Sequence, residues 1–217
     1  MFNFNKIYWE KIYSKKRQSR QPSSFARFIY KKFIKSIKNK KLIDIGCANA
    51  RNSFFFSKKK ITVTSIDRSR KAIINNIAYA KKFNYNNIIF KQLDINKNSI
   101  LKNEKYDFIY LRFFIHTIPF SSQKRLFKLI SRISKKNITL TIVEFRTVKD
   151  PMIDLGKTIS NNETINTHYR RFIESKKFIG DFKRSMKCKL IYKREGRGLS
   201  VFGKDNPHLC RLVFKKK

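Results

Sequence analysis

The chain has 217 residues, of which 52 are Lys or Arg and 14 are Asp or Glu, so its formal net charge is +38. That length can bury a full core as one domain. The sequence holds no apolar run of about 18 residues and no signal-like leader, so we expect a cytoplasmic protein without a membrane span. Its three cysteines lack the spacing of a disulfide framework or a metal site, which favours a reducing compartment.

The positive charge first suggests a nucleic acid as partner, because many cations gain by releasing counterions from a polyphosphate. The sequence weakens that interpretation. Lysine outnumbers arginine 36 to 16, and Ile and Phe are also abundant, at 29 and 21 residues. Dispersed lysines within such a biased composition differ from the basic blocks that usually mark a nucleic-acid surface. A polynucleotide partner therefore stays an alternative that is not favoured.

Taken in chain order, the hydrophobic pattern predicts an N-terminal flank and an alternation of strands with helices. Residues 1–39 are expected to form a helical lid or flank, with a helix over 25–37, before a domain spanning 40–217. Strands are predicted at 40–45, 61–66, 88–93, 106–112 and 138–145, helices at 51–59, 69–83, 121–134 and 163–186, and a terminal hairpin from 189–197 and 208–214. This order predicts a three-layer α/β sandwich with a mostly parallel central sheet and a C-terminal antiparallel hairpin.

Acidic residues close several of the predicted strands. Asp44, Asp67, Asp94 and Glu144 each end an apolar run. The carboxyl ends of parallel strands meet at one edge of a sheet, which is where open α/β folds bind ligands. After the first strand, Gly46, Ala48 and Ala50 allow the backbone to pass close to a ligand, and Asp67 follows at the spacing of a ribose-binding carboxylate. Together these features predict a nucleoside site.

The segment from Lys40 to Arg146 resembles the class I S-adenosylmethionine-dependent methyltransferases, whose fold is Rossmann-like. The resemblance is carried by LIDIGCANARNSFFF, VTSIDRS, QLDI and YDFIYLRFFIHTIP. It implies S-adenosyl-L-methionine as cofactor, bound by Asp44, Gly46, Ala48, Arg51, Asp67, Arg68, Asp94 and Ile95. The first family motif has three glycines, and Ala48 and Ala50 replace two of them. If either position needs a positive φ, alanine costs about 1 kcal/mol there.

The second half of the chain supplies the residues expected to bind the acceptor. Arg112 and His116 follow the fourth strand, and we predict His116 as a catalytic base because an imidazole titrates near neutrality. A hydrogen-bonded wall of the pocket is the other interpretation of His116. Arg112 is assigned to catalysis with it, and the predicted substrate-binding residues are Glu144, Arg146, His168, Tyr169, Arg170 and Arg171. The last four open the predicted helix, and guanidinium groups suit a phosphate or carboxylate.

These observations predict a methyltransferase that acts on a small, anionic acceptor such as a sugar or a metabolite bearing phosphate or carboxylate. The R-F-x-x-H segment at Arg112 to His116 resembles that of bacterial small-molecule methyltransferases, some of them associated with surface glycans. Three alternatives stay open. They are an RNA or DNA methyltransferase, a nicotinamide-dependent oxidoreductase, and a non-catalytic relative that has lost the cofactor. The sequence makes no prediction about the oligomeric state.

Overall fold

A computed structural model describes residues 2–14, 19–37, 39–95, 101, 104–201, 203 and 205–217. The chain divides into two compact units, Met1–Ser99 and Ile100–Lys217. Within the described ranges, no helix has both the length and the apolar character needed to cross a bilayer.

The first unit combines three parallel strands with four helical segments. Its elements are α1 (Phe2–Ser14), α2 (Ser24–Ile29, continued by a π-helical turn at Tyr30–Ile34), β1 (Lys41–Ile45), α3 (Arg51–Lys58), β2 (Thr62–Asp67), α4 (Arg70–Lys82) and β3 (Ile88–Gln92). The strands lie in the order β3-β2-β1, and both pairings are parallel. All but the first residue of β1 is buried, as expected for a strand covered on both faces. The carboxyl ends of β1 and β2 therefore lie side by side, with Ile45 opposite Ile66.

The second unit contains the remaining strands and two longer helices. Its elements are β4 (Phe108–Arg112), α5 (Phe120–Ile133), β5 (Leu140–Arg146), β6 (Lys157–Ser160), β7 (Glu163–Ile165), β8 (Tyr169–Arg171), α6 (Ser175–Met186), β9 (Cys188–Gly196) and β10 (Leu209–Lys216). Strands β4 and β5 are parallel, and β10 pairs antiparallel with both β5 and β9. The C-terminal antiparallel hairpin predicted from the sequence is confirmed.

Aromatic side chains form the core of the second unit. The ring of Phe178 on α6 lies 5.8 Å from Phe127 on α5 and 5.0 Å from Phe145 on β5, between ring centroids. Phe182, one turn later, is 4.4 Å from Phe214 on β10. Such pairs add about 0.5–1.5 kcal/mol each beyond the area they bury. This packing fixes α5 and α6 against strands β5 and β10.

One predicted element is wrong. The segment 163–186 was expected to be a single helix, but residues 163–165 and 169–171 are strands of a small antiparallel sheet ordered β6-β7-β8. The helix begins only at Ser175, where the Glu174 carboxylate accepts hydrogen bonds from the backbone N–H groups of Lys176 and Lys177. His168 to Arg171 therefore do not open a helix, and Tyr169 to Arg171 form β8 instead.

Candidate functional site

The turn after β1 has three residues in the left-handed region. The φ angle is +76° at Gly46, +54° at Ala48 and +55° at Ala50, the residue that caps α3. The left-handed conformation costs a residue with a side chain about 1–2 kcal/mol. The backbone therefore keeps the conformation that glycines would favour, and the two alanines bear the strain that the sequence predicted for a positive φ.

Side chains from other elements hold this turn in place. The amide of Asn76 on α4 donates to the carbonyl oxygen of Ala48 at 2.8 Å, and the Arg20 guanidinium donates to the carbonyl oxygen of Asn49 at 2.5 Å. Arg20 also donates to the Asn76 Oδ1 and lies 3.9 Å from the centroid of the Tyr79 ring. Neither Asn76 nor Arg20 was predicted. The signal that could have found Asn76 is its helical spacing from the apolar Ala72, Ile73 and Ala80, which puts an amide on the buried face of α4.

Asp67 at the end of β2 lies beside this turn. Its Oδ2 accepts the backbone N–H of Ala48 and its Oδ1 accepts the backbone N–H of Ser69, both at 2.9 Å. Burial raises the pKa of this carboxyl, while the two hydrogen bonds and Arg68 oppose that rise. Each carboxylate oxygen has a second lone pair. The half-buried Asp67 can therefore still accept hydrogen bonds from a pair of vicinal hydroxyls.

The other predicted cofactor residues of this unit divide into two groups. Asp44 is buried, and its Oδ2 accepts the hydroxyl of Ser53 on α3 at 2.6 Å, which ties α3 to the end of β1. The second group is half-buried and consists of Arg51, Arg68, Asp94 and Ile95. Burial lowers the pKa of Arg68, and the charges of Asp94 and Asp67 oppose that lowering. The structure thus gathers Asp67, Arg68 and Asp94, whereas Asp44 supports the fold.

The N-terminal helix α1 reaches the same end of the first unit. The Glu10 carboxylate accepts the backbone N–H groups of Arg70 and Lys71 at 2.7 and 3.0 Å, in the first turn of α4. Burial and the nearby Asp67 raise the pKa of Tyr13 well above its ordinary value. Tyr13 therefore lies close to the carboxylate at the end of β2. Glu10 was not predicted, because a carboxylate that caps a helix 60 residues later leaves no local pattern.

In the second unit, Glu144 is fully buried between two arginines. Its Oε1 lies 2.7 Å from the Arg112 Nε, and its Oε2 accepts the Arg211 Nε–H at 2.5 Å. Arg211 stands directly opposite Glu144 in the β5–β10 register and also donates to the Leu199 carbonyl at 2.6 Å. The charge of Glu144 is thus neutralised by two arginines of the same unit. Arg211 was not among the predicted residues.

Arg146 is paired in a similar way. Its Nη1 contacts both oxygens of the buried Asp150, at 3.0 and 2.9 Å, and its Nη2 pairs with Asp205. Asp150 in turn accepts the backbone N–H of His208 at 3.0 Å. The side chains of Arg112 and Arg146 therefore contact carboxylates inside the second unit.

His116 and His168 form a second polar cluster beside Arg146 and Arg170. His116 is buried, and its Nδ1 accepts the backbone N–H of Arg146 at 3.4 Å. An accepting Nδ1 assigns the proton to Nε2. Burial, Arg146 and Arg170 lower the pKa of His116 well below 6.5, and burial with Arg170 lowers that of His168 to about 3. Both imidazoles are neutral near pH 7, and the lone pair that a base needs is already used in His116.

The strand β8 sends its two arginines to opposite sides, because side chains alternate along a strand. Arg170 is half-buried and its charge acts on both histidines. Arg171 is buried and donates to the Gln123 Oε1 at 2.6 Å and to the Ile118 carbonyl at 3.2 Å. Tyr169 is also buried, with its hydroxyl donating to Glu163 at 2.8 Å. Of this group, only Arg170 and His168 join His116.

Phe113 was not predicted, although it lies between two predicted residues. Its φ is +55°, a conformation that is rare for a bulky side chain. The Arg112 guanidinium carbon is 4.0 Å from the centroid of the Phe113 ring, and the His116 ring centroid is 5.3 Å away. Strained backbone of this kind concentrates at functional sites. The half-buried ring of Phe113 thus joins the His116 cluster.

Comparison with known proteins identifies one matching family and many solved structures with a similar fold. A family model described as a methyltransferase domain matches residues 36–194, and no curated protein matches significantly. An S-adenosylmethionine-dependent methyltransferase from Clostridium acetobutylicum has a TM-score of 0.70 at 13% identity, covering 99% of this chain and 98% of its own. One from Methanosarcina mazei has a TM-score of 0.71 at 16% identity, covering 83% and 93%.

A third similar structure is the glycopeptide N-methyltransferase MtfA complexed with S-adenosyl-L-methionine. Its TM-score is 0.69 at 10% identity, covering 91% of this chain and 95% of that one. These structural likenesses show a Rossmann-like α/β fold, as the sequence predicted.

Proposed function

Because this chain belongs to the methyltransferase-domain family, we propose that it transfers the methyl group of S-adenosyl-L-methionine to a small anionic acceptor. The cofactor supplies a methyl group already activated on a sulfonium, so the protein needs mainly to hold and align the acceptor. The observation that carries the proposal is Asp67, which the strained turn at Ala48 fixes by a 2.9 Å hydrogen bond.

The residues of the first unit fit an adenosyl group. Asp67 accepts hydrogen bonds from the two ribose hydroxyls through its remaining lone pairs, and Asp94 with Ile95 binds the adenine. Gly46 and Ala48 are small residues, so the backbone at these positions can come close to the ligand. Arg68 supports the two carboxylates by its charge. The carboxylate Asp44 acts indirectly, because its bond to Ser53 positions the start of α3.

The N-terminal flank of residues 1–39 covers this adenosyl end through α1. The support is Glu10, which fastens α1 to the first turn of α4, and Tyr13, whose raised pKa reflects burial and the neighbouring Asp67. The Asn75 amide on α4 also donates to the Tyr13 carbonyl at 2.7 Å, so more than one side chain fastens α1 to α4.

The acceptor binds beside the histidine cluster of the second unit, where Arg170 supplies the positive charge. The Nε2–H of neutral His116 donates to the acceptor oxygen, and His168 and Phe113 line the same place. An acceptor oxygen that already carries a negative charge, as in a carboxylate or phosphate, has no proton to lose. We therefore assign His116 the role of a hydrogen-bond donor that positions the acceptor, in place of the base predicted from the sequence.

The ion pairs of this unit form the support for that acceptor site. Glu144 with Arg112, and Arg146 with Asp150, fix the ends of β4 and β5 next to the histidines. A cytoplasmic location agrees with three cysteines that are all free and buried.

Calorimetric titration with S-adenosylhomocysteine tests the cofactor part of the proposal. Asp67→Asn should weaken binding by about tenfold or more, because it replaces a charge-assisted hydrogen bond to hydroxyls by a neutral one. Asp154→Asn, at an exposed carboxylate, is the matched control and should bind as the wild type does. Absence of any binding by the wild type would support the non-catalytic alternative.

A screen with labelled methyl donor tests the acceptor. Small carboxylates and sugar phosphates are expected to accept the methyl group, whereas their amides and neutral sugars are not. The net charge of +38 makes a polynucleotide the second candidate. Methylation of RNA or DNA, with affinity that falls steeply with salt, would replace the small-molecule acceptor by that candidate.

A further inference from the structure

A pocket in the second unit lies on the side of β8 that carries Arg171. Its volume is about 170 Å³, and its lining includes Phe120, Arg171, Glu174, Lys177, Phe178 and Asp181. An engineered protein cavity of roughly 150 Å³ accepts benzene. The pocket can therefore hold a molecule with a single ring.

Within the part of the chain that the structure describes, the buried Arg171 guanidinium forms no ion pair. Arg171 is 8% exposed. Its guanidinium donates hydrogen bonds to two neutral oxygens, the Gln123 Oε1 and the Ile118 carbonyl oxygen. Glu163 stands opposite in the β7–β8 register and its charge acts on Arg171 from beyond ion-pair distance, while its Oε1 accepts the Tyr169 hydroxyl. Among the described residues, no carboxylate lies within 4.0 Å of the Arg171 nitrogens.

Burying a charge without a partner is costly, and a protein normally neutralises it. A guanidinium has five N–H donors, and Arg171 directs two of them to the protein acceptors just named. The others are available to a planar oxyanion, which a guanidinium binds with two parallel hydrogen bonds. The pocket next to Arg171 therefore offers hydrogen-bond donors and a positive charge to an anion.

Aromatic side chains and a second cation complete the site. The exposed ring of Phe120 lies near both cations, with its centroid 5.7 Å from the Arg171 guanidinium carbon and 5.9 Å from the Lys177 Nζ. Phe178 is buried beneath. The two carboxylates on the rim are already engaged, Glu174 with backbone N–H groups at the start of α6 and Asp181 with Arg184.

We propose that this pocket binds a small aromatic monocarboxylate of about the size of benzoate, with its carboxylate on Arg171 and Lys177 and its ring on Phe120 and Phe178. The site is distinct from the histidine cluster, because Arg170 and Arg171 point to opposite sides of β8. Binding at this site does not depend on methyl transfer, so its test is independent of the proposed function.

Titration of the full chain with benzoate, followed by chemical-shift changes in NMR spectra, tests the proposal. Benzoate should saturate the wild type in the millimolar range, while benzamide and benzyl alcohol should not. Lys177→Met should weaken benzoate binding by about threefold to tenfold, because a charged hydrogen-bond donor is lost. Lys176→Met is the matched control, since Lys176 is exposed, adjacent, and absent from the pocket lining, and it should leave the affinity unchanged.

A second variant keeps the test decisive at the buried position. Arg171→Gln should abolish saturable binding, with circular dichroism and the aromatic NMR signals of Phe178 and Phe182 reporting that the core is folded. If Arg171→Gln fails to fold, the difference in benzoate affinity between Lys177→Met and Lys176→Met still tests the proposal. The proposal is overturned if the wild type does not bind benzoate, if benzamide binds equally well, or if the two lysine variants behave alike.

Discussion

Asp67 and Ala48 are joined by a hydrogen bond of 2.9 Å from the Ala48 N–H to the Asp67 Oδ2, although 19 residues separate them. The bond links the end of β2 to the strained turn after β1. Because Ala48 has a φ of +54°, its N–H has a direction that an ordinary turn would not give. The carboxylate that is expected to bind ribose is thus oriented by the residue that replaces a family glycine.

Replacing a strained alanine by glycine should stabilise the protein. Ala50 has a φ of +55°. Glycine at this φ avoids a backbone penalty of about 1–2 kcal/mol. It also makes the unfolded chain more flexible, which lowers the free energy of unfolding by about 0.4–1 kcal/mol. We expect Ala50→Gly to raise the free energy of unfolding by about 0.5–1 kcal/mol in urea titrations. Ala78→Gly, on the exposed face of α4, should lower it by about 1 kcal/mol. A loss of stability in both variants would contradict strain at Ala50.

The support of the turn by Asn76 gives a second prediction. Its amide donates to the Ala48 carbonyl and its Oδ1 accepts from Arg20. Asn76→Ala should weaken S-adenosylhomocysteine binding by about fivefold, because one hydrogen bond that fixes the turn is worth about 1 kcal/mol. The neighbouring Asn75 donates instead to the Tyr13 carbonyl, on α1. Asn75→Ala should therefore affect the turn less, and equal losses in the two variants would argue against a specific role for Asn76.

Most elements of the central sheet, and the position of Asp67 at the end of β2, were predictable because their signals are local. The run from Leu42 to Ile45 is buried and apolar except for Asp44, and Gly46, Cys47 and Ala48 follow it at once. The pairing of Glu144 with Arg211 was not predictable, since 67 residues separate them and only the β5–β10 register brings them together. The strands β7 and β8 were not predictable, because a strand of three residues is too short to show an alternation of two.

Removing the charge of Glu144 should strongly destabilise the second unit. The carboxylate is fully buried, and Arg112 and Arg211 bind its two oxygens. Glu144→Gln would leave two buried guanidiniums without their counter-charge, and breaking a buried pair in this way costs about 3–5 kcal/mol. Thermal unfolding should show a large fall in Tm. Glu174→Gln, which only weakens a helix cap, should cost less, at about 1 kcal/mol. A small effect at Glu144 would mean that water solvates the arginines.

The two buried histidines predict a pH dependence of stability. His116 and His168 stay neutral in the folded protein, since the pKa of His168 is lowered to about 3 and that of His116 lies well below 6.5. Below pH ~6.5 the unfolded chain binds a proton at each histidine and the folded chain does not. Stability is therefore fully present above that pH and falls on acidification, by up to about 1.4 kcal/mol per pH unit for each histidine.

Urea unfolding between pH 7.5 and 5.0 measures this dependence, in a range above most carboxylate titrations. His168→Gln should reduce the slope by about half, because one of the two neutral histidines is removed. A wild-type stability that is flat down to pH 5 would contradict the neutral burial of both imidazoles.

Phe113 allows backbone strain to be separated from the role of its ring. Its φ of +55° should cost about 1–2 kcal/mol. Phe113→Ala removes the ring and keeps the strain, whereas Phe113→Gly removes both, so the glycine variant should be the more stable by about 0.5–1 kcal/mol after the unfolded-state entropy of glycine is counted. Both should lower kcat/KM by about tenfold, or 1.4 kcal/mol, if the ring positions the acceptor beside His116. Equal stabilities would remove the case for strain, and unchanged kcat/KM in both would place the ring outside the acceptor site.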